Sequence, residues 1–301
     1  MGPLLCLLSA ACFGALGIFG KLAFQAGVPP SALLLIRFGM AAVLLGLFLA
    51  LRPRPGIRTP GKVLAVALGL GALGYATQAT LYFEALHRMD ASLLSLVFYS
   101  YPLLVTIVAA TLGRDRLTAG RIGALLAASA GVLLVLLDAG GGRMNPVGVA
   151  LAFGSAITYA AYILISDRVV RQVPPVLLTT LVLTGAAAAL GVRAVAGGGI
   201  SLTFGADGWL WLTCIVVVST VLPILAFFAG LRRTGPSAAA ILSASEPVVT
   251  TALAAALLGE TLTINQLTGG LLVLSTVVIL QMRTTGVARP TESLSSARFS
   301  K

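Results

Sequence analysis

Charge is what this chain lacks most. Lys, Arg, Asp and Glu together make up 10% of its 301 residues, against roughly a quarter in soluble globular domains. That shortage excludes an ordinary soluble fold. Acid is scarcer than base, with nine Asp and Glu against twenty Lys and Arg. The single histidine, His87, has no ligand partner close in sequence, so it reads as a solvated loop residue and no metal site is expected. Cys6, Cys12 and Cys214 stand in apolar runs without a CxxC pair or a histidine. They read as small core residues, not as a disulfide framework. The apolar runs hold no HExxH, no pair of Asp, no cluster of His or Cys and no Gly-flanked Ser with a His. A membrane-embedded enzyme would need one of these, so no catalytic residue is named and no cofactor is expected. There is no P-loop, which excludes ATP-driven work by this chain alone. Gly69, Gly71 and Gly74 spell the dinucleotide fingerprint GxGxxG, but inside an apolar run with no strand before it. They read as helix packing, as do Gly123, Ala127 and Gly131 at small-xxx-small spacing.

What is present is apolar surface. Hydrophobic residues are 58% of the chain and its mean hydropathy is +1.03. A spanning helix needs about 20 apolar residues, and the runs between charged or Pro/Gly-rich breaks form ten such segments. They lie near 3–26, 30–51, 63–86, 90–112, 119–138, 147–170, 174–197, 208–231, 235–258 and 262–282. The expected fold is an all-α membrane protein of ten transmembrane helices. No Lys or Arg precedes the first run, so an uncleaved first span is expected there and not a signal peptide. The net charge of +11 suits loops facing anionic lipid and gives no reason to invoke nucleic acid.

The loop charges orient the bundle. With the N-terminus on the cytoplasmic side, fifteen Lys and Arg fall in cytoplasmic loops and the tail. Only Arg88, Arg143 and Arg193 fall outside. That bias predicts both termini inside and an even number of spans. The halves also match at a constant offset of 145 residues. Pro29 and Pro30 correspond to Pro174 and Pro175, Pro102 to Pro247, Phe83 to Phe228, Arg88 to Arg233 and Ser100 to Ser245. Five spans per half would turn the second copy upside down, so the expectation is two inverted repeats, 3–138 and 147–282. Inverted repeats are typical of transporters that rock about a site at mid-membrane. A basic cytoplasmic tail, 283–301, is expected to be disordered.

Several segments carry a family resemblance. They are SAACFGALGIFGKLAF, the Arg37-Phe38 pair, YFEALHRMDASLLSLVFYSYPLL and GRDRLTAGRIGALLAASAGVLLV, with AFFAGLRRTGPSAAAILSASEPVV and LLGETLTINQLTGGLLVLSTVVIL in the second half. Over residues 3–282 the chain resembles the drug/metabolite transporter superfamily, EamA type, with ten helices in two five-helix repeats. The resemblance implies an exporter or exchanger of amino acids or other small metabolites in the inner membrane, acting as a monomer or homodimer. The alternatives from other classes are a membrane-embedded enzyme and a non-coupled lipid- or ligand-binding module.

Polar residues inside a membrane are costly unless they face a cavity or a partner. Tyr75, Gln78 and Tyr82 share one face of span 3, and Ser92, Ser95, Tyr99, Pro102 and Thr106 one stripe of span 4, with Tyr101 nearby. Span 6 shows Ser155, Thr158, Tyr159, Tyr162 and Ser166; span 9 shows Ser243, Glu246 and Thr250. For a single Ser or Thr, bonding back to its own helix is the ordinary role. The substrate-binding set is therefore Gln78, Tyr82, Tyr99, Tyr101, Tyr159, Tyr162, Ser243 and Glu246. Lys21, Arg37 and Glu84 fall in the outer half of the membrane, where an external gate or an ion pair of Glu84 with Lys21 or Arg37 is expected, with snorkelling stems. Glu246 should lie about 17 Å deep, near the midplane. There it could carry a coupling proton, orient a substrate ammonium, or donate to the carbonyl of Ser243 freed by Pro247. Asp115 and Glu260, matched across the halves, read as helix-start carboxylates.

Overall fold

The structure is a computed structural model that describes residues 1–51, 60–86, 88, 94, 97–114, 118–137, 145–258, 263–265 and 267–275. The described residues form helices and turns and contain no strand. In chain order these are α1 (Gly2–Gln25), α2 (Pro30–Leu51), α3 (Gly61–Gly69), the π-helical turn π1 (Leu70–Tyr75) and α4 (Ala76–Leu86). Then come α5 (Tyr101–Thr111), α6 (Ala119–Leu137), α7 (Pro146–Val170), α8 (Pro175–Ala196), α9 (Ala206–Val216) and π2 (Val217–Val221). The series continues with α10 (Leu222–Thr234), α11 (Pro236–Ser243) and α12 (Glu246–Leu258). Residues 264–265 and 267–275 are also helical.

Proline placement explains where helices begin. Pro30, Pro146, Pro175 and Pro236 each occupy the first helical position, where the missing N–H costs nothing and the ring presets φ. Asn145 completes the start of α7, accepting from the N–H of Val147 at 2.9 Å and Gly148 at 3.1 Å. Gly235, with φ of 80°, makes the tight link from α10 to α11 that a side chain would strain.

Among the described residues, six helical stretches are long and apolar enough to cross a membrane: Gly2–Gln25, Pro30–Leu51, Gly61–Ala85, Pro146–Val170, Pro175–Ala196 and Ala206–Thr234. The expected spans 4 and 9 do not run as single helices. Each is interrupted by a two-residue turn just before its proline, at Tyr99-Ser100 ahead of Pro102 and at Ala244-Ser245 ahead of Pro247. Proline clashes with the carbonyl four residues back, so the chain there tightens into 3₁₀-type bonds. These run from Ser100 N to Val97 O, from Ala244 N to Ile241 O and from Ser245 N to Leu242 O. The expected tail, His87, Asp115, Glu260, Ser92 and Ser95 lie outside the described residues.

The helices pack as an interleaved set. α1 lies along α10, α7 along α4, and α2 along α8, while α5 meets α11. The tightest crossing joins π1 to α8. A Cβ on Gly71 would strike the backbone of Val182 and Ala186, and one on Gly185 would strike the backbone of Leu68 and Ala72. The expectation of glycine packing therefore holds at Gly71, and at Gly131, whose Cβ would come within 2.7 Å of Gly269 O. It fails at Gly69 and Gly123, which have nothing within 4 Å. Spacing alone cannot say which glycine of a face meets a partner.

Candidate functional site

All six tyrosines of the chain belong to one connected array of rings. Tyr75 stacks on Tyr162 with centroids 5.3 Å apart, Tyr162 on Tyr159 at 5.9 Å, and Tyr159 meets Tyr101 edge-on at 4.8 Å. Phe98 joins Tyr82, Tyr99, Tyr101 and Tyr159 at 5.3 to 5.8 Å, while Phe38 caps Tyr75 at 5.2 Å. Such edge-on and offset contacts are the favoured aromatic geometries. Tyr101 and Tyr162 are buried, whereas Tyr82, Tyr99 and Tyr159 keep partial exposure inside the bundle. The array draws on α2, π1, α4, the turn before α5, α5 itself and α7, so sequence-distant helices converge on it. Tyr75, outside the expected binding set, stands at one end of the array; its stripe with Gln78 and Tyr82 in the sequence is the signal that points to it.

Glu246 opens α12 directly after the Ala244-Ser245 turn. The break gives this carboxylate a place in a first helical turn, where the backbone dipole favours negative charge. It is half-buried, lies within electrostatic reach of Tyr75, Tyr99, Tyr101 and Tyr159, and the Tyr99 hydroxyl is directed to it. Ser243, one turn earlier, bonds back to Ala239 O at 2.9 Å and also meets the Tyr101 hydroxyl. No hydrogen bond from Glu246 to the Ser243 carbonyl is found among the described residues. Back-bonding also describes Thr106 to Pro102 O, Thr158 to Gly154 O and Thr250 to Glu246 O, as expected for single hydroxyls in such helices. Gln78 is engaged with its neighbour helix, donating to Ser155 Oγ at 3.2 Å while Ser155 returns a bond to the Gln78 carbonyl at 3.1 Å.

Arg37 departs from the snorkelling expectation. It is 3% exposed and turned into the bundle. Nε donates to Thr220 Oγ1 at 2.7 Å, and Nη2 lies 3.4 Å from both the Tyr75 hydroxyl and the Ser219 carbonyl. Both π turns thus hold one guanidinium. Pro223 explains part of this, because it has no N–H to return to the Ser219 carbonyl four residues back. Tyr75 and Thr220 are themselves 145 residues apart, the offset at which the halves match.

Glu84 sits elsewhere, at the end of α4, and pairs with Arg88 one turn on and with Arg193 at 3.9 Å. Arg193 also donates to Thr80 Oγ1 at 3.1 Å. The expected pairing with Arg37 is not made, since Arg37 is committed to the π turns; the side chain of Lys21 lies outside the described residues. Arg193 was the missed partner, hidden because it is more than a hundred residues away in sequence. These groups border a cavity of about 520 Å³ lined by Ser31, Leu34, Thr80, Phe83, Glu84 and Arg193 among others. Among the described residues there is no cluster of His, Cys, Asp or Glu that could hold a metal.

Comparison with known proteins gives a consistent picture. The EamA-like transporter family matches twice, over residues 1–137 and 146–282. The two stretches are equal in length and begin 145 residues apart. The uncharacterized transporter YcbK of Bacillus subtilis (strain 168) is 30% identical over 281 residues, covering 89% of this chain and 88% of that protein. An uncharacterized transporter of Archaeoglobus fulgidus is 27% identical over 224 residues, 74% of this chain and 78% of its own length. A protein of known crystal structure, 19% identical, superposes with a TM-score of 0.80 over 96% of this chain and 99% of its own, which establishes the likeness of fold.

Proposed function

This chain belongs to the EamA-like transporter family and is a membrane transporter, and on that premise we propose that it is a secondary transporter working by alternating access. Its substrate is a small amphipathic metabolite, an amino acid or related compound, moved across the inner membrane as an export or exchange reaction. The observation that carries this reading is the array of all six tyrosines, approached by a buried cation, Arg37, and an acid, Glu246. Ring faces and hydroxyls with few net charges suit a compact ligand with one apolar part and disfavour polyphosphates.

The working parts are two inverted five-helix repeats, 3–138 and 147–282, with both termini cytoplasmic. Three features support the repeat: the doubled family match, the corresponding π turns, and the corresponding proline breaks. Broken helices near mid-membrane are where transporters of this architecture bind substrate. Gln78, Tyr82, Tyr99, Tyr101, Tyr159, Tyr162 and Ser243 form the wall of the site, and Tyr75 joins them. Glu84 with Arg193 ties the first repeat to the second beside the 520 Å³ cavity, which supports their assignment, with Lys21, to an outer gate.

Counterflow in proteoliposomes tests the reading. Vesicles loaded with an unlabelled amino acid should accumulate the same labelled amino acid through the reconstituted protein. Ligand-induced thermal stabilisation without any counterflow would mark a ligand-binding module and overturn the transporter mechanism.

A further inference from the structure

Arg37 is a charge in need of explanation. It lies seven residues into α2, about 10 Å along the helix, and is 3% exposed. A cation at that depth is expensive unless it is paired or faces a polar cavity. Its recorded partners, Thr220, Tyr75 and the Ser219 carbonyl, are all neutral. No carboxylate lies within 4 Å of it among the described residues. Glu246 is near enough for the two charges to feel each other, but the pair is not closed into a salt bridge. Between them runs the ring array, from Tyr75 beside Arg37 to Tyr101 and Tyr99 beside Ser243 and Glu246.

The guanidinium is also fixed. Bonds to both π turns hold it in one orientation, which is how a planar fork is prepared for bidentate capture of a carboxylate. A charge-assisted hydrogen bond spans about 2.7–2.9 Å. An α-amino acid, whose ammonium and carboxylate sit one carbon apart, can make one such bond at each end. Each of the two side-chain charges would then gain the opposite partner it lacks among the described residues, with the substrate side chain among the tyrosine rings.

We infer that Arg37 is a specificity-determining residue that binds the carboxylate of a zwitterionic substrate whose ammonium faces Glu246. This deepens the amino-acid reading above and rests on it. The site then selects against molecules carrying only one of the two charges. A purely structural Arg37, bracing the π turns, would give no such selectivity.

Competition against counterflow of labelled L-leucine and L-phenylalanine separates the cases. In the wild-type protein isoamylamine and phenethylamine, which lack the carboxylate, should compete at least about tenfold more weakly than the parent amino acids. The N-acetyl amino acids, which lack the ammonium, should also be weak. In Arg37→Gln the amines should compete as well as the parents, while discrimination against the N-acetyl compounds persists. Equal competition by amines in the wild type overturns the inference, as does unchanged discrimination in a folded Arg37→Gln protein. If Arg37→Gln does not fold, Arg37→Lys should keep the preference over amines with weaker affinity, and loss of stability without loss of affinity there assigns Arg37 a bracing role. Absence of counterflow with either amino acid would defeat the amino-acid reading itself, a different failure from loss of selectivity.

Discussion

Tyr99 and Glu246 meet where two proline breaks come together, and they separate two kinds of contribution to transport. Tyr82 and Tyr99 both meet Phe98 in edge-on contacts, and as walls of the proposed site Tyr82→Ala and Tyr99→Ala should each weaken substrate binding more than the corresponding Phe variants. Ligand titration by thermal shift checks this; normal binding and transport by both Ala variants would make the rings packing residues. The hydroxyl of Tyr99, unlike its ring, bears on the Glu246 carboxylate. Glu246→Gln keeps shape and a donor but cannot ionise. It should weaken binding of the substrate ammonium and abolish the dependence of transport on an imposed pH gradient. Unchanged rate and pH response in Glu246→Gln would leave the acid a structural role only. Glu246 could be singled out from its depth and its proline neighbour. The helix start beneath it could not, because a break of this kind depends on how the flanking turns pack.

Two irregular elements recur in the halves, the prolines at the 145-residue offset and the π turns within two residues of it. The π turns, π1 and π2, each insert a wide turn into an otherwise regular helix, and the prolines Pro102 and Pro247 each end a helix early. Wide turns leave backbone groups without their ordinary partners, and Arg37 takes one of them at Ser219. The corresponding position in the other half is Val182, which packs directly on Gly71. One crossing is therefore closed by glycine and the other is filled by an arginine. Gly71→Ala and Gly185→Ala should both lower the thermal unfolding midpoint, reflecting an overpacking cost of about 1–3 kcal/mol or more. Gly123→Ala, with open space around its Cα, should leave the midpoint unchanged or raise it slightly. Equal effects at Gly71 and Gly123 would mean the α8 crossing is not tight. The glycines were visible in the sequence as a pattern; which of them carries a crossing was not, since each face offers several and only one meets a backbone.

For the whole molecule, orientation can be read from two exposed loops. In a background lacking Cys6, Cys12 and Cys214, Ser201→Cys in the link between α8 and α9 should react with an impermeant thiol reagent in intact cells. Gln172→Cys, between α7 and α8, should react only after the membrane is opened. The reverse pattern would invert the bundle. Composition and hydropathy alone determined that this chain lives in a membrane and that its apolar segments are helical, because continuous apolar runs of about 20 residues match the bilayer core as helices that satisfy their own backbone. The 145-residue offset and five of the six tyrosines of the ring array were equally legible, since shared prolines and intramembrane hydroxyls are local features. Only the tertiary structure decided that Arg37 reaches Thr220, 183 residues away, that Glu84 finds Arg193, and that Tyr75 closes the ring array. These are choices of partner between helices far apart in the chain. Hydrophobic periodicity records which face of a helix is buried, but not which neighbour buries it.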